Sequence, residues 1–286
     1  MSKHSIQKSY LHIQDNPNLK ITGEISMKAI DVVASAICGV LYGAVGYMIY
    51  LLAPITTPGV GIVRFWPSVV IPAVFSILFG PLVGGLGAAI GIFISDLLIH
   101  GDPLLSLSAG VTSNFIGFYL IGYISRRRID WTKAVALTSI IFLFGSLVLE
   151  YVLLTYFSLN ATILFMGLSI ASYAIMIAVG YLWPQWRSYG IASIIGLGVG
   201  STIIGFVVWA YSQIFVLPAA VGGGFQLPLY VALIWLIWTF ATEIPFLIVL
   251  GPPILKVCFQ TFPSLNPLKE WGERAETVKS RSNVKP

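Results

Sequence analysis

Charge is what this sequence has least of. Only 9% of its 286 residues are Asp, Glu, Lys or Arg, while 57% are hydrophobic and the mean hydropathy is +0.89. A water-soluble domain of this length could not cover its surface with so few charges, which excludes a soluble globular protein. Histidine and cysteine are almost as scarce, at 3 and 2 residues. His4 and His12 lie in the polar head; Cys38 and Cys258 lie near opposite ends of the apolar part. No disulfide framework or Cys/His metal cluster can be built from them. The chain also lacks a Gly-x-x-x-x-Gly-Lys-Ser/Thr phosphate loop, a His-Glu-x-x-His pair and a Gly-x-Ser-x-Gly elbow. ATP hydrolysis and the common hydrolytic chemistries therefore have no residues to carry them, and we expect no catalytic role and no cofactor. The first 28 residues contain no apolar core of a cleavable signal.

What is present is a series of apolar runs: Ala29–Leu52, Phe65–Phe79, Pro81–Ile99, Leu105–Ile124, Ala134–Phe157, Thr162–Leu182, Ile191–Ile214 and Leu227–Leu250. Most reach the roughly 20 residues that an α-helix needs to cross a bilayer. Phe65–Phe79 is shorter and carries Pro67 and Pro72, so a kinked, tilted or incomplete span is expected there. The expected fold is an all-α polytopic membrane protein of about eight helices. Its parts are a polar cytoplasmic head (1–28), a membrane domain (29–257) and a flexible cytoplasmic tail (258–286).

With eight spans and the N-terminus inside, all of the 16 Lys and Arg residues except Arg64 fall on the inner side. This is the positive-inside pattern, and it predicts cytoplasmic N- and C-termini in a cell membrane. The net charge of +5 is thereby explained by topology, so nucleic acid is not an expected partner. The longest outer loop, Phe215–Gln226, contains Gly222-Gly223-Gly224, which suits either a lid or a slack connector.

The third run is crowded with glycine. Gly80, Gly84, Gly87, Ala88, Gly91 and Ser95 fall on one helical stripe roughly 100° wide, along which a neighbouring helix can approach closely. Asp96 and His100 stand at its outer end. Other polar residues interrupt the apolar runs, where an ionised group costs roughly 2.5–3.5 kcal/mol at mid-membrane. Asp31 suits a helix start at the inner interface. His100 and Asp102 suit a turn before Pro103. Arg64 suits either snorkelling to the interface or pairing with a carboxylate or ligand. Asn114 and Glu150 suit either a cavity or a helix–helix hydrogen bond. Glu243, flanked by Thr239, Thr242 and Pro245, suits a structural bond or a coupling role as well as ligand contact. Trp66, Trp209 and Tyr211 lie toward the outer side, and Trp235 and Trp238 lie within the last run; most suit an aromatic belt. A cavity combining tryptophan with carboxylates would suit a flat heteroaromatic solute.

Arg64-Phe-Trp-Pro, Phe79-Gly-Pro-Leu-Val-Gly-Gly, the glycine helix ending in Ser95-Asp96, Asn114-Phe-Ile-Gly-Phe-Tyr-Leu-Ile-Gly122 and the basic run Arg126–Arg128 occur in series. This series resembles the middle of the substrate-binding S components of energy-coupling-factor (ECF) vitamin transporters. The resemblance implies a six-helix core with additional spans here. It implies capture of a vitamin or precursor from outside, and import driven by a membrane T subunit with two ATPase subunits. Family members dock through a small-x-x-x-small motif on the first helix, which falls here on Ser35, Gly39 and Gly43, with serine and glycine in place of the usual alanines. The residues expected to contact substrate are Arg64, Trp66, Asp96, Asn114 and Glu150. Two other readings use the same residues: an ion-coupled secondary transporter working through Asp96, Glu150 or Glu243, and a membrane scaffold whose small-residue stripes serve only packing.

Overall fold

The structure is a computed structural model that describes residues 27–55, 64–156 and 158–266. The head before residue 27, the loop segment 56–63 and the tail beyond 266 lie outside the described residues. All regular structure among the described residues is helical. The elements are α1 (Ala29–Leu52), a turn of 3-10 helix (Pro67–Val69) continuing into α2 (Val70–Leu78), α3 (Pro81–Ile99), α4 (Pro103–Ser125), α5 (Trp131–Tyr156), α6 (Leu159–Leu182), α7 (Arg187–Ser212) and α8 (Tyr230–Thr261). Among the described residues, seven helices are long and apolar enough to cross a membrane; the 12-residue stretch Pro67–Leu78 is not.

The helix ends follow from local chemistry. Asp31 Oδ2 accepts the Lys28 N–H at 3.0 Å and so closes the first turn of α1. Gly80 sits at φ 121°, a conformation that favours glycine, and Pro81 then opens α3 without needing a backbone donor. Asp102 caps α4 by accepting the N–H groups of Leu104 and Leu105, each at 3.0 Å, again with proline in the first helical position. Within α4, Ser106–Val111 forms a wider π-helical turn. In α8, Pro245, Pro252 and Pro253 lie inside a 32-residue helix that runs on to Thr261, well past the expected end at Leu250. Tyr189 Oη donates to the Leu247 carbonyl at 2.8 Å beside these prolines, and Gly251 leaves room for the phenol.

The expected second span is shorter than a full crossing, but it keeps the depth of its neighbour. Arg64, just ahead of it, is ion-paired with Asp96 near the end of α3. At its other end, the Ile77 carbonyl accepts from Arg126 Nη2 at 2.9 Å, where α4 finishes. The segment therefore runs alongside most of α3, with a non-helical lead-in standing where helix was expected.

Glycine sets the distances between helices. Gly39 and Gly43 of α1 meet Gly87 and Gly91 of α3 so closely that a Cβ on Gly43 would stand 2.7 Å from the Gly91 carbonyl oxygen. The expected docking stripe, Ser35, Gly39 and Gly43, is thus buried against the chain's own α3. The small-residue stripe of α3 is shared between neighbours. Gly87 and Gly91 face α1, while Gly84 receives Ser76 of α2. A second glycine seam, Gly117 with Gly196 and Gly200, joins α4 to α7.

The helices differ sharply in burial. In its most apolar window, α8 is 61% buried and α3 56%, whereas α5 is 12% buried and exposes Leu143, Phe144, Leu147 and Tyr151. The core lies among α1, α2, α3, α4, α7 and α8, with α5 and α6 at its flank.

The triple-glycine loop is neither slack nor free. Leu217 N–H donates to the Gly224 carbonyl at 2.9 Å, and Gln226 N–H donates to the Ser212 carbonyl at 2.7 Å. Trp209 Nε1 and Gln213 Nε2 both donate to the Leu227 carbonyl, at 3.0 and 2.9 Å. Leu217 is buried against Leu105, Val231 and Trp235. The glycines serve this tied turn through their backbone angles, with φ of 93°, 67° and 105° at Gly222, Gly223 and Gly224.

Candidate polar site within the helix bundle

Polar side chains from five parts of the chain converge on one small cavity in the core. Tyr42 comes from α1, Arg64 and Trp66 from the lead-in to α2, Ser113 and Asn114 from α4, Ser201 from α7, and Thr239 and Glu243 from α8. Phe118, Ile92, Leu197 and the bare backbone of Gly117, Gly196 and Gly200 complete the wall. The glycines that let α4 and α7 approach therefore also leave space beside them.

Arg64 is fixed on two sides. Its Nη2 donates to Asp96 Oδ1, and its guanidinium lies over the Trp66 ring at 4.9 Å from the centroid. Asp96, 2% exposed, does not line the cavity but holds Arg64 from behind. Its second oxygen accepts from Ser106 Oγ at 2.7 Å, and His100 Nε2 stands 3.7 Å from the first. His100 Nδ1 accepts the Asp102 N–H at 3.2 Å, so the ring proton of a neutral His100 sits on Nε2, facing Asp96. The wide turn of α4 supplies this arrangement, because Ser106 bonds to Asp96 while the absent side chain of Gly110 makes room for the same carboxylate.

Asn114 joins the turn to α1. Its Nδ2 donates to the Gly110 carbonyl at 2.9 Å, and its Oδ1 accepts from Tyr42 Oη at 2.6 Å. Both ends of the amide are engaged, which fixes its orientation. Outside the spans, Asp102 also accepts from Tyr211 Oη at 2.7 Å. Partial burial alone would raise the Asp102 carboxyl. The hydrogen bonds from Tyr211, Leu105 and Leu104 outweigh it and hold the group below the usual carboxylate range.

Several groups in the cavity have no partner among the described residues. Arg64 Nη1, Ser201 Oγ and Thr239 Oγ1 are buried without a hydrogen bond. Glu243, one helical turn from Thr239 and 8% exposed, has Arg64 as its charged neighbour. An unsatisfied buried polar group costs about 1–3 kcal/mol, so a cluster of them in one place needs a reason. The cavity encloses about 70 Å³. That suits small polar molecules or one end group; drug-sized ligands occupy roughly 300–1,000 Å³ and would need the helices to part. Two roomier spaces differ in character. About 450 Å³ between α5, α6, α7 and α8 has mainly apolar walls such as Phe142, Met166 and Phe240. A groove of about 680 Å³ runs past Trp183, Trp186 and Lys256.

Of the residues expected to contact substrate, Arg64, Trp66 and Asn114 line the cavity and Asp96 stands behind it. Glu150 does not join them. It is exposed on α5 and does not line this cavity. Sequence reasoning left out Tyr42, Ser201 and Thr239 and gave Glu243 a divided role. The i, i+4 pair Thr239 and Glu243 in an otherwise apolar run was the available signal. Tyr42, placed beside the small-residue face of α1, gave none. No group of three or more His, Cys, Asp or Glu suited to a metal ion occurs among the described residues.

The protein is thus an all-helical, multi-pass membrane protein with a buried polar site between its helices. No protein-family model, curated protein or solved structure matches the chain.

Proposed function

We propose that this chain is the solute-binding membrane subunit of a transporter, of the kind formed by ECF S components, with N- and C-termini in the cytoplasm. It would capture a vitamin or related small molecule from outside for import driven by a T subunit and two ATPases. The observation that carries this reading is the convergence of unpartnered buried polar groups, Arg64 Nη1, Ser201 and Thr239, on one cavity that Glu243 also lines. A protein that only packs against others has no use for these groups at the centre of its bundle. The motif series from Arg64 to Arg128 and the absence of a phosphate loop from the sequence support the division of labour with ATP-hydrolysing partners.

Purification from native membranes in mild detergent, with identification of what accompanies the chain, tests the assignment. A T subunit and two ATPases in defined ratio are expected. A chain that imports its solute alone in proteoliposomes would overturn it. Glu243 favours a second reading, because a buried acidic group within a span is the kind of group an ion-coupled transporter uses to carry a proton or sodium ion. Uptake driven by an ion gradient without ATP would establish that reading.

A further inference from the structure

Resting on the reading of this cavity as a solute site, we propose that the solute it takes is amphoteric, with an anionic group bound at Arg64 and a cationic N–H donor bound at Glu243. The argument is one of charge and of unused valence. Arg64 and Asp96 neutralise each other as an ion pair, and both Asp96 oxygens are engaged, by Arg64 and by Ser106. Two ionisable groups then face the same space: Arg64, whose Nη1 has no hydrogen-bond partner, and the carboxyl group of Glu243.

A solute with only a carboxylate would satisfy Arg64 but add another negative charge beside Glu243. A solute with only an ammonium would engage Glu243 but leave Arg64 Nη1 without an acceptor. An uncharged solute would leave the buried Arg64 Nη1 donor without an anionic acceptor. A solute carrying both groups completes both partners and adds no net charge. Ser201 and Thr239 contribute hydroxyls that can donate or accept, so they complete either end. Tyr42 and Trp66 present aromatic walls to the same space. At about 70 Å³, the cavity admits the amphoteric end group and excludes the body of a larger molecule unless the helices part.

The test uses the full chain in detergent micelles and follows its unfolding temperature with added solutes. The amphoteric probes are the ω-amino acids from glycine to 5-aminopentanoate, whose length series reads the spacing between Arg64 and Glu243. Propionate, propylamine and propionamide are the matched controls, and riboflavin, biotin, pantothenate and thiamine extend the panel to uncharged, anionic and cationic vitamins. One amino acid of the series is expected to stabilise the chain at a concentration at least about tenfold lower than any control, since each charge-assisted hydrogen bond adds to affinity.

Glu243→Gln keeps the shape and removes the charge, and should abolish the preference for amino acid over carboxylate. Arg64→Lys should weaken the carboxylate end, and Glu150→Gln should leave the preference intact. The preference is a ratio within one variant, so a change in overall stability does not obscure it. If an uncharged or singly charged member binds more tightly than every amphoteric probe, or if Glu243→Gln keeps the preference, the amphoteric assignment falls while the cavity remains a solute site. If no member of the panel stabilises the chain, the solute-site reading falls with it.

Discussion

Replacing Gly91 with alanine should destabilise the bundle, although the same change normally stabilises a helix. A Cβ at this position would stand 2.6 Å from the Gly39 carbonyl oxygen, 2.9 Å from Tyr42 Cδ1 and 3.0 Å from the Gly43 nitrogen. Two of the three obstacles are backbone atoms of α1, which no rotamer change can move. Ordinary contact requires α1 and α3 to separate by several tenths of an ångström along the whole seam. Overpacking of this kind costs about 1–3 kcal/mol, against a helix-propensity gain of about 1 kcal/mol from removing glycine. The net loss is therefore as much as about 2 kcal/mol. Gly145 of α5 provides the control, since a Cβ there meets nothing within 4 Å. Gly145→Ala should stabilise by up to about 1 kcal/mol. The two variants differ in sign, so a reversible unfolding titration with sodium dodecyl sulfate in mixed micelles separates them clearly. Gly91→Ala should also reach the polar site, because Tyr42 is one of the displaced groups and its hydrogen bond to Asn114 is only 2.6 Å long. If Gly91→Ala proves as stable as Gly145→Ala, the account of the α1–α3 seam as backbone in contact with backbone is wrong.

Arg64→Ala should destabilise by about 3–5 kcal/mol, because it leaves the Asp96 carboxylate buried without its cation; adding Asp96→Asn should cost less than the separate changes together, and strict additivity in the unfolding free energies would refute the pairing. Asp102 carries a pH dependence. Its folded-state value lies below the ordinary one of about 3.9, so its stabilising contribution is complete above that ordinary value and is lost as the pH falls through the lower folded-state value. Unfolding temperatures between about pH 6 and 3 should show this acid loss in the native protein, a smaller one in Tyr211→Phe and none from this site in Asp102→Asn. Gly224→Ala places a side chain at φ 105° and 2.9 Å from Leu227 Cδ2, and should loosen the Phe215–Gln226 turn by about 1–3 kcal/mol, read as faster proteolysis of that loop.

The helical architecture was legible because apolar runs long enough to span are a strong signal, and the glycine stripe of α3 was legible because its period matches the helix. The depth of individual groups was not. Along α5 the residues are apolar on every side, so the pattern could not say whether Glu150 faced a cavity or the outside; the structure turns it outward. Glu243 sits in an equally apolar run, yet it is buried because α8 is enclosed by its neighbours. The same small-residue pattern on α1 was open to a partner or to a helix of the same chain, and only the structure places α3 against it. The pairing of Arg64 with Asp96, 32 residues apart, needed the packing of the segment before α2 against the end of α3.

The wide turn at Ser106–Val111 also has a rotational meaning. A π-helical turn takes in an extra residue, so the two parts of α4 are out of step with the phase a continuous α-helix would impose. Before the turn, the helix takes its bearing from Asp102 and its tie to Tyr211 of α7; after it, from Asn114 and its tie to Tyr42 of α1. Removing one residue from the turn would restore the regular winding and swing one of these two anchors by about 100° relative to the other. The turn thus acts as a fixed phase offset, through which one helix keeps two neighbours that an uninterrupted winding could not serve together.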